Sequence, residues 1–244
     1  MQLQQILKIT LLVICMLFLG FQVFNLEFQA AGSRVILVLL LTVLYYIRVR
    51  PKRLLFFLFL LFFSLAEIVN FASWFIKLDY DTTTDYFYYG ANILYIVSYV
   101  LLTLRVIIDM NIQQVLSKFW IHIIILTVLD VFCVIIVSGT AEKMLSEHQY
   151  SLEVVYNSVI MILLTVAMIN YISKNSHKSM NLLLGAIFIF FSEVIQMTYF
   201  YISDINILNV ICSLFLVLAF LFLYLQARIP LETEQNNIRQ DLPI

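Results

Sequence analysis

The chain of 244 residues is 63% hydrophobic and 12% charged, with a formal net charge of −1. Soluble domains carry about 25% charged residues and bury far less apolar surface, which excludes a soluble globular class. The near-neutral balance offers nothing to a nucleic acid, so none is expected as a partner.

Apolar runs of about 20 residues recur along the chain, each long enough to cross a ~30 Å hydrocarbon core as a helix. The predicted fold is all-α: a polytopic integral membrane bundle of eight transmembrane helices. They fall over residues 6–24, 34–47, 54–76, 86–108, 119–137, 151–171, 181–201 and 205–225. Residues 1–225 form one transmembrane domain, and the polar stretch 226–244 reads as a disordered cytoplasmic tail.

In chain order, the first span, "KITLLVICMLFLGF" followed by "FQAAG", has the outline of a signal peptide. Its apolar stretch exceeds the usual 7–15 residues of such segments, so an uncleaved span is expected. The second span has a short core, "VILVLLLTVLYYI", and must take in "FQAAGS" upstream to reach across. The third contains "FFSLAEIVNF", residues 62–71, and the seventh contains "FFSEVIQMTYF", residues 190–200. Each places a glutamate, Glu67 or Glu193, in an apolar run, with a carboxamide, Asn70 or Gln196, three residues on and so on the same helix face. The fourth span follows the aromatic belt "DYFYYG" and carries Asn92, Tyr95, Ser98 and Tyr99 at helical spacing. The fifth holds Asp130 in "LTVLDVFCV", and the sixth holds Tyr156, Asn157, Ser158 and Thr165.

Loop charges orient the bundle. With eight spans, all but Arg34, Lys77 and Lys143 of the 14 Lys+Arg residues fall on the side of the two termini. Most acidic residues read as loop residues of the opposite side, and Glu153, two residues inside the sixth span, is counted with that side. The positive-inside rule then puts both termini in the cytoplasm, and a bacterial inner membrane is the expected location.

Glu67, Asp130 and Glu193 lie 13, 11 and 12 residues from the cytoplasmic starts of their spans, roughly 17–20 Å deep at 1.5 Å per residue. A carboxyl there costs at least ~2.5 kcal/mol, which marks such residues as functional candidates. Two glutamates in one repeated motif at one depth predict a shared polar cavity. They also suggest a parallel repeat, the first four helices answering the last four. Two carboxyls in one low-dielectric site can divide the roles of general acid and general base. Cys15, Cys133 and Cys212 lack CxxC spacing and read as small buried hydrophobes. His122, His148 and His177 lack metal-ligand spacing, so neither a metal nor another cofactor is expected.

An ordered set of motifs is similar to the YhhN-like lysoplasmalogenase family: "SRVILVLLL", "SLAEIV", "FYYG", "VVYNSVIMILLTVAM" and "LLGAIFIFFSEVI", spread over residues 30–200. The resemblance implies eight helices with cytoplasmic termini and hydrolysis of the vinyl ether bond of lysoplasmalogen-like lysolipids. Glu67 and Glu193 match the family's two essential aspartates, and Arg34 stands in place of its lysine. In that reading Glu67 and Glu193 are catalytic, while Arg34, Asn70, Gln196, Tyr156 and Asp130 bind substrate. Arg34, near the outer end of its span, is expected either to meet a phosphate as a bidentate donor or to snorkel to the membrane interface. The partners implied are a lysolipid substrate and the surrounding membrane lipids, with the oligomeric state open. The chain departs from the pattern in its paired Asp-to-Glu changes, in Ser98 or Tyr99 where the family has a histidine, and in "CSLFLVLAF" where the family has Tyr and Gln. Two rivals stay open: a transporter or amphiphile-binding sensor using the same carboxyls for a proton or cation, and a purely structural bundle.

Overall fold

A computed structural model describes residues 2–49, 52–76 and 85–229. Among these, eight α-helices follow in order: α1 (Gln2–Val23), α2 (Glu27–Arg48), α3 (Leu54–Ala72), α4 (Tyr86–Ile108), α5 (Ile112–Gly139), α6 (Glu147–Lys174), α7 (His177–Tyr201) and α8 (Asn206–Arg228). All eight are long and apolar enough to cross a membrane, which makes this an integral membrane protein. Helix is the only way for a single span to satisfy its backbone in lipid, and no proline falls inside any of these segments.

Several helices outrun the apolar windows that predicted them, because their polar first turns are capped. Asn111 opens α5 by accepting from the Gln114 amide, and Phe119, the expected start, is instead a kink (φ −119°, ψ 20°). A capping box between Ser146 and Gln149 starts α6 four residues before the expected point. A second box between Ser176 and Ser179 starts α7. α2 takes in "FQAAGS" as expected. α3 ends at Ala72 and tightens into a 3-10 turn over Ser73–Phe75. α8 continues to Arg228, past the expected domain limit at 225, while residues 230–244 of the expected tail lie outside the described part.

Helices α1, α2, α3, α4, α6, α7 and α8 pack in that order, and α1 meets α8 to close a ring. α5 stands outside it, packed chiefly on α6. Successive helices are neighbours in both halves, as in any up-and-down bundle, which does not single out a repeat. The ring is filled at the end where α1 starts and α8 stops. There Phe56, Phe59, Phe63 and Phe220 stack through one another. The Arg53 Nη1 donates to both carboxylate oxygens of Asp109 at 2.6–2.7 Å, and the Lys174 ammonium donates to the Asp109 carbonyl at 2.6 Å. These bonds tie α3, α4 and α6 together. At the opposite end the ring is open.

Candidate functional site

A cavity of about 440 Å³ occupies the open end of the ring. Every ring helix except α1 contributes to its wall, from Arg34 on α2 to Leu216 on α8. Six of the seven residues expected to form a site line it: Arg34, Glu67, Asn70, Tyr156, Glu193 and Gln196.

Glu67 is 2% exposed and accepts a hydrogen bond from the Arg34 Nε at 2.6 Å. The Arg34 side chain, 16% exposed, therefore points inward instead of snorkelling to an interface. Its first partner is a candidate catalytic carboxylate, so the sequence reading of Arg34 as a phosphate donor missed its nearest contact. Glu193 has no cation within bonding distance among the described residues. Its Oε1 accepts from the buried Tyr99 hydroxyl at 3.0 Å, and Tyr156 lies beside it. Tyr95 lines the same cavity, within electrostatic reach of both Glu67 and Glu193. The rings of Phe63, Tyr95, Tyr99 and Tyr156 meet edge to face at 5.0–6.5 Å, which fixes the hydroxyls from below.

A smaller cavity of about 150 Å³ adjoins the first and shares Arg34, Asn70, Gln196 and Phe200 with it. Arg34 and the two carboxamides thus form a polar partition between the chambers.

Asp130 is the exception. It lies on α5, outside the ring, and accepts from the Thr165 hydroxyl of α6 at 2.7 Å. It lines neither cavity. Its depth matches that of the glutamates, but its side chain turns to α6, while Cys133, Val134 and Val137 of the same helix face Glu193 across a small crevice. The serines beside the glutamate motifs also serve packing. Ser64 bonds the Leu60 carbonyl at 2.7 Å and contacts Thr42, and Ser192 donates to the Cys212 carbonyl at 2.9 Å. In the α4 stripe, Asn92 and Tyr95 reach the cavity while Ser98 donates to the Tyr95 carbonyl at 2.8 Å.

Sequence reasoning missed a third carboxyl. Glu153, counted with the outer-side charges although it falls at the edge of the expected sixth span, is 6% exposed and lines the cavity from the second turn of α6. The Tyr88 hydroxyl donates to its Oε2 at 3.3 Å, and the Asn157 carboxamide, itself bonded to Ser138, donates to Oε1 at 3.4 Å. The signal was present in "SEHQ", residues 146–149: that capping pattern starts the helix four residues early and moves Glu153 from its first turn to its second. Tyr88 and Tyr201, at the outer ends of α4 and α7, complete the mouth.

Among the described residues no cluster of metal-binding side chains occurs. The cavity can therefore offer an ion-paired carboxylate, a second carboxyl held by hydroxyls, and a wall of tyrosines and carboxamides. No protein-family model, no curated protein and no solved structure matches the chain.

Proposed function

We propose that the protein is an intramembrane hydrolase that opens the vinyl ether of a lysoplasmalogen-like lysolipid, as the similarity of its motifs to the YhhN-like family suggests. The observation that carries this reading is the convergence of Glu67 and Glu193, from distant parts of the chain, on one cavity with different partners. The Arg34 ion pair marks Glu67 as the carboxylate of the two. Glu193, bonded only by neutral hydroxyls, is the proton donor.

In the proposed reaction Glu193 gives its proton to the alkenyl carbon one bond removed from the ether-bearing carbon. The double bond's electron pair forms the new C–H bond and leaves an oxocarbenium ion. Water adds to the carbon next to oxygen, and Glu67 takes the proton that this water releases. The hemiacetal then splits into a fatty aldehyde and a glycerophospho alcohol: Glu67 gives its proton to the departing ether oxygen and Glu193 takes the hydroxyl proton, so one water is consumed and both carboxyls return to their starting states. Acid and base placed this way are worth about 10²–10⁴-fold each, and the nearby carboxylate further stabilises the oxocarbenium charge.

Both termini are placed in the cytoplasm in this reading, with the cavity mouth on the outer face of a bacterial inner membrane, in keeping with the loop charges. The test is aldehyde release from an alkenyl lysolipid by the purified protein in detergent. Wild type is expected to release aldehyde, and Glu67→Gln and Glu193→Gln to lose at least about 10²-fold while remaining folded. Wild-type protein that releases none ends the hydrolase reading.

A further inference from the structure

The cavity is unbalanced in charge. Among the described residues its lining holds three carboxyls, Glu67, Glu153 and Glu193, against a single guanidinium, Arg34, which is committed to Glu67. Glu153 bonds Tyr88 at the mouth, one turn of α6 from Tyr156 and within electrostatic reach of Glu193. It is buried, yet has no cation within bonding distance among the described residues.

A buried carboxylate is expensive unless it is compensated. Here Tyr88 and Asn157 orient Glu153 with two long hydrogen bonds of 3.3 and 3.4 Å, while leaving it on the wall of an open chamber. The surrounding side chains are of a kind that attract cations through their faces. Tyr88 donates to Glu153, Tyr201 lies within electrostatic reach of it, and Phe200 lines the same chamber. Aromatic faces within about 6 Å draw in quaternary ammonium groups, and more strongly where water is excluded.

We propose that Glu153, with Tyr88 and Tyr201, is the receptor for an organic cation, an ammonium group entering at the cavity mouth. The assignment deepens the hydrolase reading by placing a cationic head group above the two catalytic carboxyls, but binding itself needs no hydrolysis. The ammonium belongs either to a lipid head group or to a free amine.

The experiment measures binding to the full-length protein in a neutral detergent by calorimetry and thermal stability. The probes are choline, its uncharged carbon isostere dimethylbutanol, and dodecylphosphocholine below its micelle concentration. Choline or dodecylphosphocholine is expected to bind at least about tenfold more tightly than dimethylbutanol. Glu153→Gln is expected to remove that preference, and Glu142→Gln, on the exposed turn before α6, to leave it intact. Preference for dodecylphosphocholine over choline identifies a lipid head group, and equal binding identifies a free amine. Dimethylbutanol binding as well as choline, the same stabilisation by sodium ion, or an unchanged preference in Glu153→Gln overturns the assignment. The wild-type comparison needs no variant to fold. Absence of aldehyde release alongside an intact ammonium preference would remove the hydrolase and leave this site standing.

Discussion

At the scale of single residues, the Arg34–Glu67 pair is the contact with the largest expected consequence. Removing one partner leaves the other charge buried, which costs about 3–5 kcal/mol. Arg34→Met is therefore expected to lower the unfolding temperature sharply in detergent, and the double replacement Arg34→Met with Glu67→Leu to recover much of the loss. A double variant no better than Arg34→Met alone would mean that the pair is not what stabilises this wall. Asp130→Asn, by contrast, should leave aldehyde release and head-group binding unchanged, since Asp130 touches Thr165 and neither cavity. The contrast explains what was legible. Counting residues along apolar runs gives the depth of a carboxyl, and Glu67, Glu193 and Asp130 share one. Which of them meet depends on the order of helices around the ring, which no single run encodes. Glu153 escaped because it stands only two residues into its expected span, where a carboxyl reads as an interfacial charge until the cap shows the helix starting earlier.

At the scale of elements, α7 carries the most constraint. Its C-terminal half holds Glu193, Gln196 and Tyr201 on the cavity wall, and its N-terminal half presses on α8 at Gly185. A Cβ at Gly185 would sit 2.9 Å from Leu223 and 3.4 Å from the Ala219 carbonyl. Ala is expected to be accommodated by a shift of Leu223. Gly185→Leu should force the helices apart, cost about 1–3 kcal/mol and displace the wall two turns above. Thermal denaturation of the two variants checks this, and equal stability would show that the close approach carries no weight. Apolar length foretold all eight helices, and α3, α4 and α8 nearly to the residue at their starts. The misplaced starts of α5, α6 and α7 share one cause: side-chain caps extend helix into polar sequence that no hydropathy window includes.

At the scale of the whole molecule, the filled end and the hollow end predict a sided protein. An impermeant thiol reagent added to intact cells should label a cysteine at Lys143 or Tyr201 and should spare one at Lys52, which sits at the filled end. The reverse pattern would invert the bundle and place the cavity mouth toward the cytosol. The ring itself has a further consequence, through the seam where its first and last helices meet. Asn206 and Asn209 of α8 reach back to the Val23 carbonyl and the Gln22 carboxamide of α1 at 3.2 and 3.0 Å. A ribosome delivers α1 first and α8 last, so α1 waits through the synthesis of the entire chain for the neighbour that completes it. Until that final segment leaves the insertion machinery, the chamber has a missing wall. A nascent chain halted before Asn206 would carry all three carboxyls and still enclose nothing.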